Sequence, residues 1–102
     1  MRTGLDLVHL PGFKGRLKNV DLNELFSEAE LKDASLEHLA GLFAAKEAFF
    51  KALGRKEDWR EVLIELSESG KPILRSQLLS GQSVELSITH DGDYAAAVVI
   101  IS

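Results

Sequence analysis

Apolar residues follow two rhythms along this chain, one of strands and one of helices. Leu5-Asp6-Leu7-Val8-His9-Leu10 alternates loosely and is rich in branched side chains, which predicts a first strand, broken at Pro11-Gly12. Further on, Val62 to Leu66 predicts a strand, Ser69-Gly70-Lys71-Pro72 a turn, and Ile73-Leu74-Arg75 the opening of another strand. Gly81-Gln82-Ser83 is a second turn. Val84 to Thr89 alternates cleanly as a half-buried strand. His90-Asp91-Gly92-Asp93 carries the Asp-Gly hairpin signal, and Tyr94 to Ile101 is an apolar closing strand.

Between these strands the period lengthens. From Leu39 to Gly54 apolar residues recur at 39, 42, 43, 49, 50 and 53, close to the helical repeat. The run is rich in Ala and Leu and free of Pro. Gly54 is placed as a C-terminal stop, and Lys51 falls in the last turn, where the helix dipole favours a cation. Ahead of it, Phe13 to Val20 is weakly helical and basic. Asp21-Leu22-Asn23-Glu24 and Ser27-Glu28-Ala29-Glu30 both have the form of a capping box, so short helices are expected across 21–33, broken at Ser27. Asp33 or Ser35 is the expected cap of the long helix, and residues 55–60 read as a charged connector. Strand, short helices, one long central helix and then an antiparallel meander make an α+β fold.

Composition narrows the class. At 102 residues the chain fits one domain with a modest core, residues 1–102, and 45% apolar with 27% charged residues is an ordinary globular balance. There is no Cys, which excludes disulfides, thiolate metal ligands and a Cys nucleophile. No run approaches a membrane span and the N-terminal residues carry no signal-like pattern, so a cytoplasmic location is expected. The net charge of −4 argues against general nucleic-acid binding. Lys14, Arg16 and Lys18 nevertheless cluster with no acid among them, as either a solvated face or a docking patch for an acidic partner.

Two acids draw attention. Asp6 lies inside an otherwise apolar strand, where a carboxylate faces solvent on an edge or needs a partner. Lys46-Glu47 interrupts the apolar helix, and Glu47 and Lys51 are one turn apart on one edge of it. By itself that spacing favours an exposed ion pair over a site.

Four segments then occur in order: Gly4-Leu5-Asp6-Leu7-Val8, Phe43-Ala44-Ala45-Lys46-Glu47-Ala48 with Lys51, Gly70-Lys71-Pro72, and Ser87-Ile88-Thr89-His90. The ordered set resembles the holo-acyl carrier protein synthases, the short 4′-phosphopantetheinyl transferases, and Phe26-Ser27-Glu28-Ala29-Glu30-Leu31 is similar to that family's Leu-Thr-x-x-Glu helix start. The resemblance covers nearly the whole chain. It implies an enzyme that moves 4′-phosphopantetheine from coenzyme A to a serine of an apo acyl carrier protein, with Mg²⁺ on Asp6 and Glu47. It further implies Lys51 facing the phosphates, Glu47 as base, and Ser87 with His90 on coenzyme A, although His90 read alone favours a hairpin cap. Lys14, Arg16 and Lys18 become the expected dock for the acidic carrier. Larger relatives look like two fused copies of this unit, which implies Ser87 and His90 of one subunit facing Asp6, Glu47 and Lys51 of the next, and the resemblance to the family's short members, which form trimers, implies a homotrimer.

The chain departs from that pattern at Leu42, where the family usually has Arg, at His9, where it often has Glu, and after Gly54, where Arg55-Lys56-Glu57-Asp58 replaces a Thr-Gly loop. Arg55 or Lys56 is the nearby cation available to stand in for a lost phosphate contact. The alternative function is a catalytically weak member that binds carrier protein or nucleotide without efficient transfer. A metal-free structural module would require that Asp6 and Glu47 do not approach each other.

Overall fold

A computed structural model describes residues 1–102. Strand β1 (Arg2–His9) leads directly into helix α1 (Leu10–Leu17), followed by α2 (Leu22–Leu25), α3 (Glu28–Leu31) and the long helix α4 (Leu36–Leu53). A 3₁₀ turn (Trp59–Glu61) precedes strands β2 (Val62–Leu66), β3 (Pro72–Ser76), β4 (Val84–Asp91) and β5 (Tyr94–Ile101). The fold is α+β, as the pattern implied.

Helix α4 is capped at both ends by the residues its sequence offers. Ser35 Oγ accepts the backbone N–H of His38 at 3.1 Å, and Gly54 closes the helix in the left-handed conformation with φ 84°. Asp33, the other candidate cap, instead takes a left-handed turn conformation ahead of Ser35. Most of the α4 circumference is buried, because the main sheet covers one side while α1, the Glu30 carboxylate and an aromatic cluster cover the other.

The strands divide into two sheets rather than one meander. The main sheet has the order β1-β5-β4, all antiparallel, and β2 with β3 forms a separate hairpin. β5 is apolar on both faces, which suits a central strand with a neighbour on each edge. On the β2 side, the N–H of Ile64 is taken by Glu30 Oε2 at 2.8 Å, so a side chain rather than another strand occupies that donor. The Pro11-Gly12 break is a helix start: Pro11 sits in the first turn of α1, where no intrahelical N–H is required. The last hairpin turn is shorter than the four residues expected. His90 and Asp91 stay paired with Ala95 and Tyr94, and Gly92, with φ 57°, makes the two-residue turn possible.

Helix α4 approaches β1 very closely. A Cβ on Gly4 would lie 1.8 Å from the carbonyl oxygen of Ala48, so only glycine fits there. This contact sets the spacing between the β1 residues on the inner face and the last two turns of α4. On the opposite face of the main sheet, Leu5 and Leu7 are 66% and 64% exposed, with Val98 and Tyr94 beside them. No helix is long and apolar enough to cross a membrane.

A candidate active site on the long helix

Asp6 lies on the inner face of β1, two residues beyond Gly4, and its side chain is only 15% exposed. Lys51, one helical turn after the Ala48 contact, reaches back to it: Nζ donates to Asp6 Oδ1 at 3.0 Å and to the Leu5 carbonyl at 2.9 Å. Glu47 stands one turn before Lys51 and does not pair with it. Its Oε1 accepts instead from Lys56 Nζ at 3.1 Å. The exposed Glu47–Lys51 pair that the spacing allowed is therefore replaced by two cross-links, each tying one acid to one lysine.

Burial raises the Asp6 carboxyl above its ordinary value of 3.8. The hydrogen bond and charge of Lys51 oppose that shift, the negative charge of Glu47 adds to it, and Arg16 opposes it weakly. Lys51, Glu47 and Arg16 thus all lie within electrostatic reach of Asp6, so the two acids are not held apart. Arg16 arrives from α1 with its guanidinium 5.6 Å from the Phe43 ring centroid. The basic cluster consequently divides. Lys14 and Lys18 are neighbours one turn apart on an exposed side, while Arg16 is turned toward Phe43.

These donors suit a hard cation. Two carboxylates are available, with no cluster of three or more acidic, His or Cys ligands, so the remaining positions would fall to phosphate oxygens and water, the usual habit of Mg²⁺. Cys is absent and His9 is occupied elsewhere, packed against Tyr94 with ring centroids 5.1 Å apart.

The other two expected site residues lie apart. His90 is on the inner face of β4, where Nδ1 meets Glu37 Oε1 at 3.0 Å near the start of α4. It lines a cavity of about 210 Å³ together with Glu37, Gly41, Leu42, Gly70 and Pro72, so the Gly-Lys-Pro turn and the histidine motif converge. Its place within the strand removes the hairpin-cap reading. Ten residues of α4 separate Glu37 from Glu47, about 15 Å at the helical rise. Ser87 points to the outer sheet face, beside Leu5 and Val98. Within one chain, Asp6, Glu47 and Lys51 come together and Ser87 and His90 do not join them.

Three features escaped the sequence. Glu37, the partner of His90, belongs to none of the sequence motifs. Lys46, in the sequence only an interruption of the apolar helix, is fully buried on Glu30 at 2.7 Å. Lys56 was a candidate only for phosphate, whereas it contacts Glu47 directly.

A strand-borne aspartate and a helical Glu/Lys pair, held at one glycine-tight crossing, form an acid-and-base cluster suited to phosphoryl-group chemistry. A family model described as the 4′-phosphopantetheinyl transferase superfamily matches residues 2–99, and the chain belongs to that family. Relatives narrow the likeness. A holo-[acyl-carrier-protein] synthase of Bacillus pumilus is 37% identical over 112 residues, spanning 96% of this chain and 92% of the relative. A holo-[acyl-carrier-protein] synthase structure from Helicobacter pylori in complex with coenzyme A aligns with a TM-score of 0.88 at 27% identity, covering 98% of this chain and 99% of that one. The Bacillus anthracis counterpart, in complex with CoA (3′,5′-ADP), aligns with a TM-score of 0.87 at 29% identity, covering 98% and 94%.

Proposed function

We propose that the whole chain is one transferase domain that moves 4′-phosphopantetheine from coenzyme A to a serine hydroxyl of an apo acyl carrier protein. The observation that carries this reading is the convergence of Asp6, Glu47 and Lys51 at the β1–α4 crossing, in a chain of this family. Asp6 and Glu47 would hold Mg²⁺, which when bound supplies charge neutralisation on the pyrophosphate. Glu47 accepts the proton of the carrier serine as its oxygen attacks phosphorus. The bond from that phosphorus to the nucleotide phosphate breaks, and the Lys51 ammonium faces the charge that develops there. His90 donates to the 3′-phosphate of the nucleotide, with Ser87 as its companion on the coenzyme A side.

The same reading makes the site intersubunit. About 15 Å of helix lies between the His90 end and the Glu47 end of one chain. The uncovered apolar face bearing Leu5, Leu7 and Val98 supports packing against another copy. A homotrimer closes such head-to-tail contacts in a ring. The carrier docks on α1 through Lys14, Arg16 and Lys18, with Lys14 and Lys18 on the freely exposed side.

A second reading, a weak transferase that chiefly binds, draws on the His90 cavity. Its floor at Leu42 is apolar and buried, and Glu37 places a carboxylate against His90. Incubation with coenzyme A, Mg²⁺ and an apo carrier, followed by mass spectrometry of the carrier, separates the two. Complete conversion by catalytic amounts of enzyme supports the transferase. An unmodified carrier that still binds the chain favours the weak member. Glu47→Ala lowers turnover on the order of 10²- to 10⁴-fold if the carboxylate has the assigned role, while unchanged turnover rejects that role.

A further inference from the structure

We propose that Lys56 is a latch on Glu47, whose ammonium holds the carboxylate until a divalent cation displaces it. The inference rests on the reading of Asp6 and Glu47 as the metal's carboxylates.

The latch is built from the connector that follows helix α4. Gly54 ends α4 in the left-handed conformation, with φ 84°, and Lys56 in the connector that follows comes back onto Glu47. That connector runs to the 3₁₀ turn, where Asp58 accepts the N–H of Arg60 at 2.9 Å. Trp59 in the turn stacks on Phe43 with centroids 4.9 Å apart and meets Phe50 edge-on at 5.2 Å, so the indole is fixed against α4. Lys56 Nζ stands 4.8 Å from the Trp59 ring centroid and 3.1 Å from Glu47 Oε1. Indole face and carboxylate therefore hold one ammonium between them.

The neighbouring cations have other partners. Arg55 Nε donates to Glu57 Oε1 at 2.8 Å, and Lys51 is held by Asp6 and the Leu5 carbonyl. Lys56 is the cation whose partner is Glu47. A dication that takes Glu47 must break this contact, and it then faces an ammonium a few ångströms away unless an anion draws that ammonium off. A phosphate-bearing substrate is such an anion, and the flexible lysine stem can follow it. Lys56 thus weakens binding of the bare cation and favours binding together with a phosphate ligand. Both side chains are partly solvated, with Lys56 61% exposed, so the effect on metal affinity is about two- to fivefold.

The test uses Mn²⁺ alone as a spectroscopic probe, at low ionic strength and without coenzyme A. Free Mn²⁺ is counted by electron paramagnetic resonance against wild type, Lys56→Gln, Lys56→Arg and Glu47→Gln. The latch predicts that Lys56→Gln binds Mn²⁺ about two- to fivefold more tightly than wild type. Lys56→Arg, which keeps the cation, stays near wild type, and Glu47→Gln binds more weakly. Lys56→Gln affinity equal to or weaker than wild type, with Glu47→Gln still impaired, overturns the latch and leaves the metal reading standing. Equal binding by wild type and Glu47→Gln overturns the metal reading and the latch with it.

Discussion

Replacing Lys46 with Met removes a charge from the interior while keeping a side chain of similar length. Lys46 and Glu30 have side chains 0% and 2% exposed, and their 2.7 Å contact is embedded in a larger network. Lys46 Nζ also donates to the Leu25 carbonyl at 2.9 Å and lies 5.4 Å from the Phe26 ring centroid. Glu30 further accepts the N–H of Ser27 and the N–H of Ile64, each at 2.8 Å. One carboxylate thus joins the start of α3, strand β2 and helix α4. Desolvation pushes the Lys46 ammonium below its ordinary value, against the opposing pull of Glu30, which marks how dry the site is. Stripping one partner from a buried pair costs about 3–5 kcal/mol. Glu30 keeps two backbone donors in Lys46→Met, which places the cost near the lower bound, about 3 kcal/mol. That is a large share of the roughly 5–15 kcal/mol that stabilises a small protein, and it equals a shift of about 1–3 M in a urea midpoint. The assay is equilibrium urea unfolding followed by the fluorescence of Trp59, the sole tryptophan. Glu30→Met adds the second arm, and the double variant completes a cycle. The double carries no unpaired buried charge, so its destabilisation falls well short of the sum of the singles. A Lys46→Met protein within about 1 kcal/mol of wild type refutes the buried-pair account, as does simple additivity in the cycle.

Two further outcomes follow from the site. The raised Asp6 carboxyl means the native state holds that proton more tightly than the unfolded chain, so the ionised form opposes folding above the ordinary value of 3.8 and the penalty vanishes below it. Asp6→Asn therefore stabilises the metal-free protein at neutral pH and loses that advantage below 3.8, which urea midpoints with a chelator present will read; a neutral-pH loss contradicts the assignment. Reversing Lys14 and Lys18 to Glu raises KM for the carrier several-fold at low salt with kcat little changed, and added salt narrows the difference. A KM insensitive to both the reversal and the salt rejects α1 as the dock.

How much of this was legible in the sequence differs between elements. Helix α4 was readable because its period, its Ser cap and its Gly stop all agree, and local signals decide such an element. The five strands were readable from their own local patterns, as was the helix break at Ser27 between α2 and α3. Pairing was less so. The separation of β2–β3 from the main sheet depends in part on Glu30 occupying the Ile64 donor, a contact between residues 34 positions apart. Lys46 was opaque because a lone lysine beside a glutamate in a helix ordinarily faces water, and its burial depends on an acid 16 residues away. Asp6, Glu47 and Lys51 could be nominated through an ordered set of motifs, but their meeting depends on Gly4 letting α4 settle onto β1. Lys56 escaped because the connector after Gly54 has no periodicity from which a direction can be read.

The central claim is a site whose carboxylates come from one copy of the chain and whose histidine comes from the next. Subunit exchange between His90→Ala and Glu47→Ala proteins tests it most directly. Each variant is inactive as the transferase reading has it, and mixed rings hold some sites in which His90 and Glu47 are both intact. With exchange verified by mass spectrometry, transfer of phosphopantetheine to an apo carrier returns in part in the mixture and in neither variant alone. Confirmed exchange without recovered transfer, or an active wild-type species that sediments as a monomer, contradicts the account.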